Sequence, residues 1–487
     1  MQLNAKHQAV YPLWKSVLLV VCIILLFFSR FFPDVGGLNT VGITTLSIFV
    51  GTMLLMILVD LTWPVMLAVA AMTLAGIFPM NEALRTAFGN HIFMFVLMNT
   101  LVLAVLRDCG VLRRIAVWMM TRSFTRKSPW FLLIAMYLSE LILGCFMNCT
   151  VIVILYCTIA ETIFESMHLE KGNKMAEQIM IGICVICALS YGVSPIGHPI
   201  AIISMELFAG LQSVNYAQFL LVGALVAIVF FVLFMLAMRF LFKLDLSLFQ
   251  DFDADLLKKD IGPITKEEIV SISVFGLVVI WWVLPGLIQN SLPEIYAMMN
   301  SLGNCFPLLL AIGFFCIVPV NGKVMMNYVT SLKRDASWQA AYPMATAMLL
   351  SAALTRPEAG ITEFVSEALT PILGSMPAVL FVVIVCGVAT LFANFSNITI
   401  IVTLFGTVAV TLMQSGVISG VVAGAFCIAF SISSCFAVAT VSSTYGAIVG
   451  SSGWVSRRVQ LTEGIFFAFV GWLCAAVLGY TFASFLF

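Results

Sequence analysis

The sequence predicts an all-α polytopic membrane protein of about eleven transmembrane helices and two re-entrant hairpins, arranged as an inverted repeat. Three observations carry this. The chain is 62% hydrophobic and 9% charged, with a mean hydropathy of +1.12, whereas a soluble domain carries roughly 25% charged residues. Apolar runs long enough to cross a bilayer recur along the 487 residues. The two halves also match each other at a fixed offset of 249 positions.

The runs are 16–33, 41–59, 62–80, 90–106, 175–206, 216–240, 268–287, 303–320, 338–355, 418–450 and 462–486. A spanning helix needs about 20 such residues. The first run follows "MQLNAKHQAVYPLWK", which has the charge pattern of a signal peptide, but no small-x-small cleavage site follows Phe28, so 1–40 reads as a cytoplasmic segment and an uncleaved first helix. Net charge is zero, and no basic arm or aromatic cluster argues for nucleic acid. The thirteen cysteines are scattered singly, and the close pair Cys184 and Cys187 lies within an apolar helix without a turn, which disfavours a redox or metal role.

With the N-terminus inside, every Lys and Arg except Arg30, Arg85 and Arg356 falls on the inner side, provided that 128–168 enters and leaves from the same face. That segment is therefore a hairpin. Its polar break "MNCT" (147–150) lacks the Gly, Pro or charges of a surface turn, which favours a re-entrant form. The segment 372–413, broken at "NFSN" (394–397), repeats the arrangement from the other side.

At the offset of 249, Phe146 falls on Phe395, Met147 on Ser396, Asn148 on Asn397, Thr150 on Thr399, Ser194 on Ser443 and Gly197 on Gly446. The first unit is 41–242, with hairpin 128–168 and broken helix 175–206. The second is 268–487, with hairpin 372–413 and broken helix 418–454. A charged cytoplasmic linker, 243–267, joins them.

Four interruptions break apolar helix: "MNCT", "YGVSPIGHP" (191–199), "NFSN" and "TVSSTYGAIVGSSG" (440–453). Backbone freed within a bilayer must be buried together or line a watery cavity. Half-helix N-termini gathered there attract an anion without any Lys or Arg, and exposed carbonyls beside Asn oxygens suit a sodium ion. The expected anion-binding residues are Asn148, Cys149, Thr150, His198, Ser396, Asn397, Thr399, Ser443 and Thr444; those for sodium are Asn148, Gly192, Ser194, Asn397, Ser396 and Thr440. Blander roles compete with these. Asn148 and Asn397 suit helix N-caps, and the Ser and Thr hydroxyls suit back-bonding to their own helices. Pro195, Pro199, Gly192 and Gly197 suit shaping of the break. His198 and Glu140 are ionisable groups at membrane depth, where a functional role competes with a buried structural one.

With this layout the chain resembles the divalent anion/sodium symporter family, from about residue 41 to the end. The family's Ser-Asn-Thr motif at each hairpin tip reads here as Met147-Asn148-Cys149 and Ser396-Asn397-Ile398, its Gly-Thr-Pro-like break as "SPIGHP" (194–199), and its pre-hairpin helix as "FGNHIFMFVLMNTLVLAVLRDCGVLRRIA" (88–116). The resemblance implies an eleven-helix protomer in the cell inner membrane, a homodimer joined through scaffold helices, and a transport domain that moves like an elevator. It implies no enzymatic activity and no cofactor beyond a coupling sodium ion, with small anionic carboxylates as substrates. Met147, Cys149 and Ile398 depart from the pattern and remove three hydroxyls, which points to a substrate with fewer carboxylates or an apolar portion. A sodium-independent anion exchanger fits the same residues. An intramembrane enzyme fits them less well, since no membrane-embedded His-Glu-x-x-His or Gly-x-Gly-Asp occurs.

Overall fold

The computed structural model describes residues 12–34, 37–247, 249, 254–259, 261–373 and 376–487. Lys6, one of the inner-side cations, and the linker acids Asp251, Asp253 and Asp260 lie outside the described residues. The chain is helical almost throughout. Its one sheet among the described residues is a two-stranded ribbon in which Pro319 pairs with Val324 and Val320 with Lys323.

Asn, Ser and Thr punctuate the apolar sequence and open the helices as N-caps. Asn39, Asn90, Ser128, Asn173 and Ser456 each accept a bond from the first turn. Asn215 with Gln218, and Thr265 with Glu268, form reciprocal capping boxes. In lipid an uncapped helix start is costly, because no water replaces the missing partner.

Seven helices among the described residues are long and apolar enough to cross a membrane, and Pro293–Leu302 with Phe306–Ile317 forms a further pair bent by 65°. Other expected spans are shorter. The run 62–80 becomes Pro64–Leu74, started by Pro64 and stopped at Gly76, whose φ of +75° ends the helix. The run 175–206 divides into Lys174–Val193 and Pro199–Phe208, and 418–450 into Ala423–Ser434 and Thr444–Ser451.

The first hairpin is Pro129–Gly144 and Cys149–Ser166; the second is Ala378–Ala393 and Ile398–Gln414. Moved by 249 positions, Pro129–Gly144 falls on 378–393, the bounds of its counterpart, and the starts at Cys149 and Lys174 fall on Ile398 and Ala423. The two halves interlock. Cys149–Ser166 packs on Thr444–Ser451 of the other half, with Phe164 and Trp454 ring centroids 4.9 Å apart, while Ile398–Gln414 packs on Pro199–Phe208. The broken helices cross at Gly192, where an added Cβ would sit 3.0 Å from the Ile432 carbonyl oxygen and 3.2 Å from Cys435 Cβ.

The ion pairs fall into two groups. Arg107 and Arg334 share Asp108 and Asp335, Arg114 pairs with Glu268, and Arg126 and Lys258 pair with Asp255. In the second group Arg356 pairs with Glu82 and lies over Phe78, while Arg30 donates to the Leu74 carbonyl. Each pair among the described residues joins groups that the basic-residue pattern puts on one side.

Candidate functional site: two hairpin tips on crossed broken helices

Each hairpin turns through a four-residue tip, 145–148 in the first and 394–397 in the second. Asn148 caps Cys149–Ser166 by accepting from the Thr150 N–H at 2.9 Å; Asn397 caps Ile398–Gln414 by accepting from the Thr399 N–H at 2.9 Å. The cap occupies the side-chain oxygen of each Asn. Both side chains are half-buried.

The broken helix of each half then bonds the carbonyls that end the first hairpin arm. In the first half the Ser194 hydroxyl donates to the Cys145 oxygen at 2.6 Å, and His198 Nε2–H donates to the Gly144 oxygen at 2.9 Å. The carbonyl partner assigns the proton to Nε2 and leaves Nδ1, which is buried, without a partner. The His198 ring stands edge-on to Tyr191, centroids 4.1 Å apart. Gly197 brings the break against the tip: an added Cβ would lie 2.8 Å from the Met147 nitrogen and 2.9 Å from its oxygen. In the second half the Thr440 hydroxyl donates to the Asn394 oxygen, and the Ser442 hydroxyl donates to the Ala393 oxygen at 2.9 Å.

Cys145 and Gly144 correspond at the 249 offset to Asn394 and Ala393, so the same two tip carbonyls are held in both halves. The residues that hold them do not keep that offset. Thr440, not Ser443, takes the place of Ser194, and Ser442 that of His198. Ser443 instead caps Thr444–Ser451 by accepting from the Gly446 N–H and donates to the Ala437 oxygen at 2.7 Å. Ala423–Ser434 has 12 residues against 20 in Lys174–Val193, so its break opens earlier and the register slips.

Two of the cavities that flank this assembly reach expected site residues. One of about 460 Å³ is lined by Ser396, Asn397 and Ser442 together with Asp60, Thr62 and Gln339. Hydrogen bonds from Thr62 hold the exposed Asp60 carboxyl below the usual carboxylate range. The other, about 420 Å³, runs along the first hairpin's second arm from Thr150 to Thr162 and reaches Arg107 and Arg113. Of the expected residues, Ser396, Asn397 and Thr150 thus open onto cavities. His198, Cys149, Thr399, Ser443, Ser194 and Gly192 are buried, Thr440 is half-buried, and Thr444 is exposed.

Two buried amides were invisible to the repeat comparison. Asn394 donates to the Thr390 and Phe436 oxygens and accepts from the Ala439 N–H at 2.8 Å, tying the second tip to its break. Asn99 donates to the Ile196 oxygen at 2.8 Å, and its own Oδ1 is buried without a partner beside the first break. The signal for Asn99 was an amide inside an otherwise apolar helix, which in lipid must find a partner; Asn394 opens the break "NFSN" itself.

Fold and site together define a polytopic all-α membrane protein built from paired hairpins on crossed broken helices. A model of the citrate transporter (CitMHS) family matches residues 51–324. The chain belongs to that family and so stands among transporters related to the divalent anion/sodium symporters. Among solved structures it is similar to the YdaH transporter of Alcanivorax borkumensis, described as having an unusual topology. The two share 13% identity at a TM-score of 0.53, over 83% of this chain and 88% of that one. No curated protein matches the sequence significantly.

Proposed function

We propose that this protein carries small organic anions, carboxylates in particular, across the membrane by sodium-coupled symport with an elevator movement. The observation that carries the reading is the pairing of Asn148 and Asn397, each at the start of a hairpin's second helix and each on a tip held by its broken helix. The first N–H groups of those helices have no intrahelical partner, and the helix dipoles favour negative charge there. Ser396, Asn397 and Ser442 add polar groups in the 460 Å³ cavity, a size suited to a small carboxylate. Sodium would lie near the unpartnered Asn99 oxygen and the break carbonyls around Ser194, and on the other side near Thr440.

Membership of the citrate transporter family makes tricarboxylates the first substrates to test. Met147, Cys149 and Ile398 supply no hydroxyls at the tips, which supports a preference for fewer carboxylates; a missing donor to a buried carboxylate oxygen costs about 1–3 kcal/mol. The positive-inside pattern supports a cytoplasmic N-terminus in the cell inner membrane, and the family resemblance supports a homodimer.

Uptake into proteoliposomes, with a panel of mono-, di- and tricarboxylates in sodium and in choline, tests the proposal. Carboxylate uptake that requires sodium is the expected result, and absence of uptake for the whole panel rejects it. The missing tip hydroxyls also favour a second reading, sodium-independent exchange. Counterflow in sodium-free vesicles separates the two. For the elevator movement, spin labels at Glu165, in the last turn of the first hairpin, and Lys333 would change separation when sodium and substrate are added; an unchanged separation argues against it.

A further inference from the structure

A groove of about 530 Å³ runs between the first arm of the second hairpin and the last long helix, Arg457–Ser484. Its walls are apolar, formed by Leu391 and Phe395 on the hairpin and by Leu461, Ile465, Phe469 and Trp472 on the helix. Leu391 is 58% exposed and Phe395 71%, so the groove opens outward from the fold. At one end Trp472 Nε1–H donates to the Val383 oxygen at 2.9 Å and closes the gap between the helices. At the other, the stripe continues from Leu461 to positions three and four residues earlier, which are Arg458 and Arg457. Both arginines are exposed and form no ion pair among the described residues.

We propose that this groove binds one anionic phospholipid of the bilayer, its acyl chain along the stripe and its phosphate at Arg457 and Arg458. The dimensions agree. From Arg458 to Trp472 the helix rises about 21 Å, which matches one leaflet's share of the hydrocarbon core plus the headgroup layer. The volume is too small for a helix of a second copy, since ten residues of helix about 10 Å across displace roughly 1,200 Å³. Charge complementarity selects an anionic headgroup over a zwitterionic one. The groove also reaches Asn394 and Ala439, the contact that ties the second hairpin tip to its broken helix. A lipid seated here braces the tip from outside, a role that does not depend on which solute the protein carries.

The test uses the full-length protein in detergent, titrated with phosphatidylglycerol or phosphatidylcholine of identical acyl chains, with Tm and native mass spectrometry as readouts. Phosphatidylglycerol should raise Tm more and be retained as one copy per chain, because a ligand that binds only the folded state stabilises it by mass action. In the R457Q/R458Q double variant the preference for phosphatidylglycerol should fall roughly tenfold or more. Ile465→Trp, which fills the groove from a position 55% exposed, should abolish retention of both lipids. Equal responses to the two lipids in the unmodified protein, or an unchanged preference in the double variant, would overturn the proposal. So would a disulfide between copies of the Ile465→Cys variant, which would give the groove to a second copy.

Discussion

Glu140 is a carboxyl within the first hairpin, fully buried, with neither oxygen hydrogen-bonded. The hydroxyls of Tyr137 and Tyr156 are engaged elsewhere, on the Ile179 oxygen and on Ser139. An unsatisfied buried polar group costs about 1–3 kcal/mol, whereas an apolar group of similar shape costs nothing of that kind. Glu140→Leu is therefore expected to raise Tm in detergent; a fall would mean that the carboxyl has a partner in the folded protein. His198 stands in contrast, since its Nε2–H is spent on the Gly144 oxygen, and so its place in the fold is structural whatever else it does. The sequence marked both groups as ionisable at membrane depth, but not their partners, because those depend on which carbonyls the hairpin tip presents.

At the scale of elements, each tip is held to its broken helix by a few bonds to carbonyls that have no other partner in lipid. In the second half Asn394 makes two further bonds to the break, donating to the Phe436 oxygen and accepting from the Ala439 N–H. Asn394→Leu orphans the Ala439 N–H and the Phe436 oxygen, and a loss of about 2–5 kcal/mol is expected from two unsatisfied buried groups; denaturant unfolding in detergent checks it. The helix Tyr328–Asp335 is fixed to the end of His91–Asp108 by the Arg107, Asp108, Arg334 and Asp335 cluster, in which the Asp335 side chain is only 2% exposed. Burial disfavours its ionised form, yet the bonds from Arg334 and Arg107 outweigh that and hold its carboxyl below the usual range. A depressed native value means stability present above the unfolded value near 4 and lost as pH falls through the native one. Asp335→Asn should therefore lower stability at pH 7 by about 1–3 kcal/mol, read as a lower Tm, and the difference should narrow as the pH falls below about 4. The correspondence of the two hairpins was legible in the 249 offset, which carries Pro129–Gly144 onto its counterpart to the residue, although the sequence offered only the outer limits of each segment. The partners across the break were not. An eight-residue difference in length between Lys174–Val193 and Ala423–Ser434 moves the holding role from Ser443 to Thr440, and no fixed offset registers that.

For the whole molecule, the two broken helices cross at Gly192, and each hairpin leans on the broken helix of the opposite half. The proposed transport cycle uses both tips, so damage to either should disable uptake. The central claim is that the Asn148 and Asn397 amides face the carried anion as well as capping their helices. Ser caps a helix about as well as Asn, so Asn148→Ser and Asn397→Ser keep the cap and remove only the amide. The most direct test is carboxylate uptake by proteoliposomes holding each variant at matched Tm. Uptake by each variant should fall at least about tenfold, the effect of losing about 1.4 kcal/mol of binding, with folding unchanged. Uptake equal to that of the unmodified protein in both variants would reduce the two asparagines to helix caps and contradict that claim.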